Sequence, residues 1–158
     1  MAQDKKAVLM RRATYASVTV AFGLISIKFV AYILTGSVAL LSSLIDSVLD
    51  SLASILNFIA VRHALEPADE EHRFGHGKAE PLAGLGQAAF IMGSSIFLIF
   101  EAINRFVNPQ QIQHTNIGVG VMLISLFVTI LLVIYQRHVV KETGSLAIQA
   151  DSIHYFSD

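Results

Sequence analysis

Two aspartates lie inside a long apolar segment of the sequence. Asp46 and Asp50 are four residues apart, so on a helix their carboxylates share one face. The same side of the segment carries further small polar residues: Ser43, Ser47, Ser54 and Asn57. An acid in the middle of a membrane costs at least about 2.5 kcal/mol on insertion scales. Two neighbouring acids therefore need a compensating partner.

A second ionisable pair near the end of the chain repeats this spacing. His154 and Asp158 are also four residues apart, and Asp151 lies one helical turn earlier. We expect the two segments to enter a membrane from opposite sides. A rise of about 1.5 Å per residue through a core of about 30 Å then places Asp50 level with His154. The same count places Asp46 level with Asp158.

These residues form a candidate metal site at the middle of the bilayer. Asp46, Asp50 and Asp158 supply three carboxylates and His154 supplies one imidazole, a four-ligand set that suits a divalent metal such as Zn²⁺. The alternative is that the acids pair structurally with Lys28 or with basic residues elsewhere in the protein. Intramembrane ionisable residues are functional by default, which favours the metal site.

A polar loop contains a second candidate site. Asp69, His72 and His76 could bind a metal with one coordination position open, and Gly75 and Gly77 allow the backbone to turn tightly. The alternative is a solvated acidic loop whose histidines bind nothing. The remaining histidines are interpreted as ordinary residues of the membrane interface: His63, His114 and His138.

The composition shows what kind of protein must position these residues. Of 158 residues, 54% are apolar and 15% are charged, whereas soluble domains carry about 25% charged residues. This excludes a soluble globular enzyme and a disordered chain and indicates a membrane protein. The net charge of −1 offers no basis for nucleic-acid binding. With no cysteine, thiolate metal sites and disulfides are excluded as well.

The apolar segments predict an all-α membrane protein, a transmembrane helix bundle with four complete helices and the start of a fifth. The predicted ranges are about 14–34, 38–65, 79–107, 116–141 and 145–158. A spanning helix needs about 20 residues, and the last segment stops after 14. We therefore expect the chain to be the N-terminal part of a longer transmembrane domain.

The basic residues predict the orientation of the bundle. Cytoplasmic loops carry an excess of Lys and Arg. Nine basic residues fall on one side of the predicted spans and only Arg105 on the other, so the N-terminus and the loop 66–78 are predicted to be cytoplasmic. Lys28 lies near the outer end of the first span, from which its side chain can snorkel to the surface. The nine basic residues on the predicted cytoplasmic side are Lys5, Lys6, Arg11, Arg12, Arg62, Arg73, Lys78, Arg137 and Lys141.

Three stretches of the sequence are distinctive enough to suggest a family. The segments GSVALLSSLIDSVLDSLAS, HRFGHGKAEPLAGLGQ and QADSIHYFSD closely resemble those of the cation diffusion facilitator family, in particular its bacterial zinc and iron efflux branch. The resemblance implies six transmembrane helices followed by a cytoplasmic α/β domain, and we expect that domain to lie outside these 158 residues. It also implies a homodimer in the bacterial inner membrane that exchanges Zn²⁺ or similar cations for protons.

The resemblance also implies which residues bind metal. The transport site corresponds to Asp46, Asp50, His154 and Asp158, and the cytoplasmic loop site to Asp69, His72 and His76.

The sequence therefore predicts a proton-coupled antiporter, not an enzyme, that exports divalent transition metals from the cytoplasm. Zn²⁺ is the expected cargo, with Fe²⁺, Cd²⁺ and Mn²⁺ as further candidates. One alternative is a membrane-embedded zinc enzyme, although four protein ligands leave no open position for water. The other is a cation channel, which needs weak binding at several sites for fast exit.

Overall fold

The structure, a computed structural model, describes residues 2–109 and 115–157, and in these ranges it contains five α-helices and no strand. The all-α fold class predicted from the sequence is confirmed. The helices are α1 (Ala2–Thr35), α2 (Val38–Ala64), α3 (Ala79–Val107), α4 (Thr115–Thr143) and α5 (Leu146–Ser157).

Four of the helices are long and apolar enough to cross a membrane. These candidate spans are Gln3–Thr35, Val38–Ala64, Ala79–Val107 and Asn116–Thr143. Many of their large apolar side chains are exposed on the outside of the bundle, where a bilayer would cover them. These features indicate a multi-pass membrane protein.

Helix α1 is longer than the sequence predicted. It begins at Ala2 rather than near residue 14. The charged segment before the span contains no Gly or Pro and is rich in Ala, Lys, Leu, Met and Arg, which are strong helix formers. The helix therefore continues beyond the apolar span.

Two glycines end helices in the left-handed conformation. Gly36 follows α1 with φ +62° and Gly144 follows α4 with φ +72°, a conformation that glycine adopts without a Cβ penalty. Their N–H groups donate to the carbonyl oxygens of Tyr32 and Val140 at 2.7 and 2.8 Å. These turns let the next helix fold back beside the previous one.

The helices pack as a ring in the order α1, α2, α3, α5, α4, with α2 and α5 also in contact. Gly86 allows α3 to approach α2 closely, because a Cβ built there would lie 2.7 Å from Leu56 Cδ2. This arrangement brings the polar face of α2 against the short α5. The ring therefore positions the predicted ligands of both helices in its interior.

A buried apolar layer joins all five helices at one end of the bundle, where α2 ends and α5 begins. It contains Met10, Ala13, Ala60, Val61, Ala83, Val139, Ala147 and Ile148. About one turn further along each helix, the interior becomes polar, with Ser17, Ser54, Gln87, Gln136 and Asp151 all buried. The apolar layer thus separates the loop before α3 from the polar interior.

Candidate metal sites

Helices α2 and α5 bring two of the predicted intramembrane ligands together. His154 Nε2 lies 3.3 Å from Asp50 Oδ1, as counting the helical rise predicts. The His154 side chain is 1% exposed and that of Asp50 is 17% exposed. An imidazole and a carboxylate at this separation can both contribute to one metal ion or share a proton.

The other two members of the predicted quartet are placed differently. Asp46 lies one turn from Asp50 on α2, and its Oδ1 atom is buried without a hydrogen-bond partner among the described residues. Asp158 lies outside the described residues. In residues 2–109 and 115–157, Asp46, Asp50 and His154 are not among the groups whose ligand atoms all lie within 4.8 Å of one another. The structure thus brings together one pair of the quartet.

Lys28 lies inside the bundle and does not take the route to the surface that its position near the end of α1 allows. Its residue exposure is 8%, and its Nζ donates to Ser47 Oγ at 2.6 Å and to the Ser43 carbonyl oxygen at 3.3 Å. The reason is that α2 offers these acceptors on the face that carries Asp46, and the positive charge of Lys28 acts on that carboxylate. Lys28 therefore offsets part of the cost of burying Asp46.

Asp151 is the centre of a hydrogen-bond network that the sequence analysis did not assign. It is fully buried, and three side chains from three other helices donate to it. Ser17 Oγ and Gln136 Nε2 reach Oδ2 at 2.8 and 2.6 Å, and Gln87 Nε2 reaches Oδ1 at 3.1 Å. The available signal was the presence of two glutamines, Gln87 and Gln136, within predicted membrane spans, where amides need a partner.

The network also includes α2 and the aromatic residue beside His154. Ser54 Oγ lies 2.9 Å from Ser17 Oγ; because the single proton of Ser17 goes to Asp151, Ser54 is the donor in this pair. Ser54 Oγ in turn is 2.8 Å from the Tyr155 hydroxyl, which can donate to it. All five helices therefore contribute to one polar cluster. Because α5 is held at Asp151 and Tyr155, one helical turn apart, by partners on α1, α2, α3 and α4, its rotation about its own axis is fixed.

The loop before α3 brings together all three residues predicted there. His72 Nδ1 lies 3.2 Å from Asp69 Oδ1, and His76 Nε2 lies 3.6 Å from Asp69 Oδ2. The backbone N–H of His72 donates to Asp69 Oδ1 at 2.5 Å, and this bond holds the pKa of the Asp69 carboxyl below its usual range. Gly75, with φ +75°, turns the chain so that the His76 side chain points back toward Asp69 and His72.

His63, interpreted from the sequence as an ordinary residue of the membrane interface, lies in contact with this cluster. Its ring centroid is 4.4 Å from that of His76, and its Nδ1 is 2.8 Å from Glu66 Oε2. Among the described residues, two groups of three donors have all ligand atoms within 4.8 Å of one another: His63, Glu66, His76 and Asp69, His72, His76. Of the other two histidines, His138 is exposed and His114 lies outside the described residues.

The fold defines a multi-pass membrane protein, and side chains of types that can bind metal lie close together both inside the helix bundle and in a polar loop. A family model described as the cation efflux transmembrane domain matches residues 14–158. The chain belongs to the cation efflux family, a family of transporters rather than of enzymes, and the resemblance seen in the sequence is confirmed.

Several curated relatives, each named cation-efflux pump FieF, match along almost the whole chain. The protein of Shewanella oneidensis is 48% identical over 149 residues, which cover 94% of this chain and 50% of the relative. That of Klebsiella pneumoniae is 49% identical over 150 residues, covering 95% and 50%. That of Serratia proteamaculans is 47% identical over 156 residues, covering 99% and 52%. The chain thus spans about half the length of these relatives.

Proposed function

We propose that the chain is the membrane-embedded part of a proton-coupled antiporter that exports divalent transition-metal cations from the cytoplasm. Zn²⁺ is the proposed main cargo, and Fe²⁺, Cd²⁺ and Mn²⁺ are further candidates. The observation that carries the proposal is the contact of 3.3 Å between His154 Nε2 and Asp50 Oδ1 inside the bundle. Family membership supports cation efflux as the activity.

The intramembrane residues divide the work of binding by their chemistry. The carboxylates of Asp46, Asp50 and Asp158 would neutralise the charge of the cation, which a low-dielectric interior requires. His154 would add the nitrogen donor that favours Zn²⁺ over harder ions. Asp46 Oδ1, buried without a hydrogen-bond partner in the described part of the chain, is one oxygen available for this purpose.

Proton coupling follows from competition for the same lone pairs. A metal binds the deprotonated ligand, so metal binding releases protons and protonation releases metal. An unperturbed imidazole titrates between pH 5 and 8, and in His154 it lies against a carboxylate. One site can then carry either the cation or protons, and rocking of the helices around it would give alternating access.

The loop cluster would act as a collection point for the cargo at the cytoplasmic surface. Asp69 and His72 are about half exposed, and the loop adjoins the cytoplasmic side predicted from the basic residues. A homodimer in the bacterial inner membrane is proposed on the resemblance to the family.

The test is zinc flux into sealed vesicles that contain the full-length protein and an imposed pH gradient. We expect Zn²⁺ to enter the vesicles in exchange for protons that leave them. The zinc flux should collapse when a protonophore dissipates the pH gradient. The variant Asp50→Ala removes a ligand and a negative charge, so its flux should fall to the level of empty vesicles. Glu142→Ala, which removes an exposed acid at the end of α4, is the matched control and should retain the flux.

Each alternative function has a distinct outcome in this assay. A channel would pass Zn²⁺ down its own gradient without regard to the pH gradient. An enzyme would show no flux at all. Near-normal, proton-driven flux in Asp50→Ala would show that the intramembrane site is assigned to the wrong residues.

A further inference from the structure

His63 and Glu66 extend the loop cluster beyond the three residues predicted there. His63 lies in the last turn of α2 and Glu66 just after it. Their side chains are 52% and 51% exposed and are joined by a 2.8 Å contact between His63 Nδ1 and Glu66 Oε2. With His76, they form a group whose ligand atoms all lie within 4.8 Å of one another. Two imidazoles and one carboxylate are the donors found in open zinc sites.

His76 connects this group to Asp69 and His72. Its side chain is 5% exposed, and its ring centroid lies 4.4 Å from that of His63 and 4.5 Å from that of His72. Its Nδ1 atom is buried without a hydrogen-bond partner among the residues the structure describes. A buried polar atom of this kind costs free energy unless a ligand satisfies it.

The second group also has access to ions. His63 and Glu66 line an open groove between α2 and α3 of about 490 Å³, a volume sufficient for a hydrated cation. Arg62 lines the same groove, so a cation there depends on the Glu66 carboxylate to offset the repulsion. This combination selects a metal that binds imidazole strongly rather than a hard ion held by charge alone.

We infer that His63, Glu66 and His76 form a second metal-ion position that shares His76 with the position at Asp69 and His72. A neutral imidazole offers one lone pair, so the two positions are alternatives for a single transition-metal ion. An ion can therefore exchange between them by replacing two ligands while His76 remains bound. The inference concerns binding in the loop and holds whether or not the intramembrane site transports.

The test is Zn²⁺ binding to the purified full-length protein carrying Asp50→Ala, which disables the intramembrane site. His72→Ala is added to empty the first position, and His63→Ala is then added to it. Mutation of a residue that only hydrogen-bonds a metal ligand typically lowers metal affinity about 10- to 100-fold. Losing His63 as a direct ligand should therefore weaken Zn²⁺ binding to the loop at least about tenfold. His138→Ala in place of His63→Ala is the matched control, because His138 is an exposed histidine on α4.

X-ray absorption of the bound Zn²⁺ provides a second readout that counts imidazole ligands. The signal of a His76→Ala variant, which lacks both positions, is subtracted to isolate the loop. We expect two imidazoles in His72→Ala and one after His63→Ala is added. Equal affinity and equal imidazole counts with and without His63 would overturn the inference, as would complete loss of loop binding in His72→Ala alone.

Discussion

Asp151 and Asp50 are both carboxylates inside the bundle, yet their surroundings differ. Asp151 is fully buried and accepts three hydrogen bonds, from Ser17, Gln87 and Gln136. Asp50 is partly exposed and faces His154. An ionised carboxylate has about four lone-pair sites, so fixed donors occupy most of those of Asp151, whereas Asp50 faces a group that can itself bind a metal.

The difference shows that the donors around a buried acid decide its role. A cation at Asp151 would have to break three hydrogen bonds between helices. A cation at Asp50 would instead gain an imidazole ligand. Asp151 and His154 are three residues apart and share a face of α5, so the bonds at Asp151 also hold His154 toward Asp50. Asp151 fixes the orientation of α5, whereas the proposed role of Asp50 is to bind a metal ion.

The largest effect is expected from removing each of these acids in turn. Asp151→Ala leaves three donors unsatisfied; at about 0.6–1.7 kcal/mol per interhelical bond, it should lower the free energy of unfolding by about 2–5 kcal/mol. Asp50→Ala should leave stability nearly unchanged while zinc flux is lost. Thermal unfolding in detergent and vesicle flux, measured on the same preparations, check both.

A milder variant keeps this comparison testable should Asp151→Ala fail to fold. Asp151→Asn retains an acceptor for Gln87 but offers an amide group toward Gln136 or Ser17, so its loss of stability should be smaller. Equal stability losses in Asp50→Ala and Asp151→Ala would remove the distinction between the two acids.

A second effect is expected on metal choice. His154→Asp replaces the one nitrogen donor of the proposed quartet with an oxygen and adds a negative charge. Preference should shift from Zn²⁺ toward harder or larger cations such as Mn²⁺, and the pH profile should change because the imidazole is gone. Competition flux of Zn²⁺ against Mn²⁺ and Cd²⁺ from pH 5.5 to 8 measures both. An unchanged ranking with an unchanged profile would mean that His154 is not a ligand.

The sequence predicted the pairing of Asp50 with His154 because a helix has a constant rise, so depth follows from counting residues. It did not predict where Lys28 points. Length and flexibility allow that side chain to reach either the surface or the interior, and the choice depends on acceptors supplied by α2, at Ser43 and Ser47. Distances along one helix are predictable, whereas contacts of a long side chain between helices are not.

The loop before α3 shows the same limit of prediction from sequence. Asp69, His72 and His76 could be grouped from their spacing, but His63 is thirteen residues from His76 in the sequence. Their contact depends on the path of the intervening backbone, including the positive φ of Gly75. No periodicity predicts that path. The Asp151 network was missed for a related reason, since its donors come from three helices whose order in the ring the sequence does not specify.

A smaller effect on flux is expected from the loop than from the intramembrane pair. His72→Ala combined with His76→Ala removes both loop positions, but Asp50 and His154 remain. Zinc flux should therefore decrease most at low Zn²⁺ concentration and recover as the concentration rises. The measurement is flux against Zn²⁺ concentration. Elimination of flux at all concentrations, as in Asp50→Ala, would mean that the roles of the two sites are wrongly assigned.

The smallest effect concerns the pH dependence of the loop. The N–H of His72 holds the pKa of Asp69 below its usual range, so this carboxylate loses its charge only when the pH falls below that range. Between pH 5.5 and 7.5, Asp69 therefore keeps its charge, so protonation of this carboxylate should contribute nothing to a decline of Zn²⁺ affinity with falling pH. In the Asp50→Ala background, Asp69→Asn should lower Zn²⁺ affinity by about tenfold at every pH without changing the slope of log affinity against pH. Glu71→Gln, an exposed acid of the same loop, should change neither. A flatter slope in Asp69→Asn would show that Asp69 itself titrates in this range and that the bond from His72 does not hold it ionised.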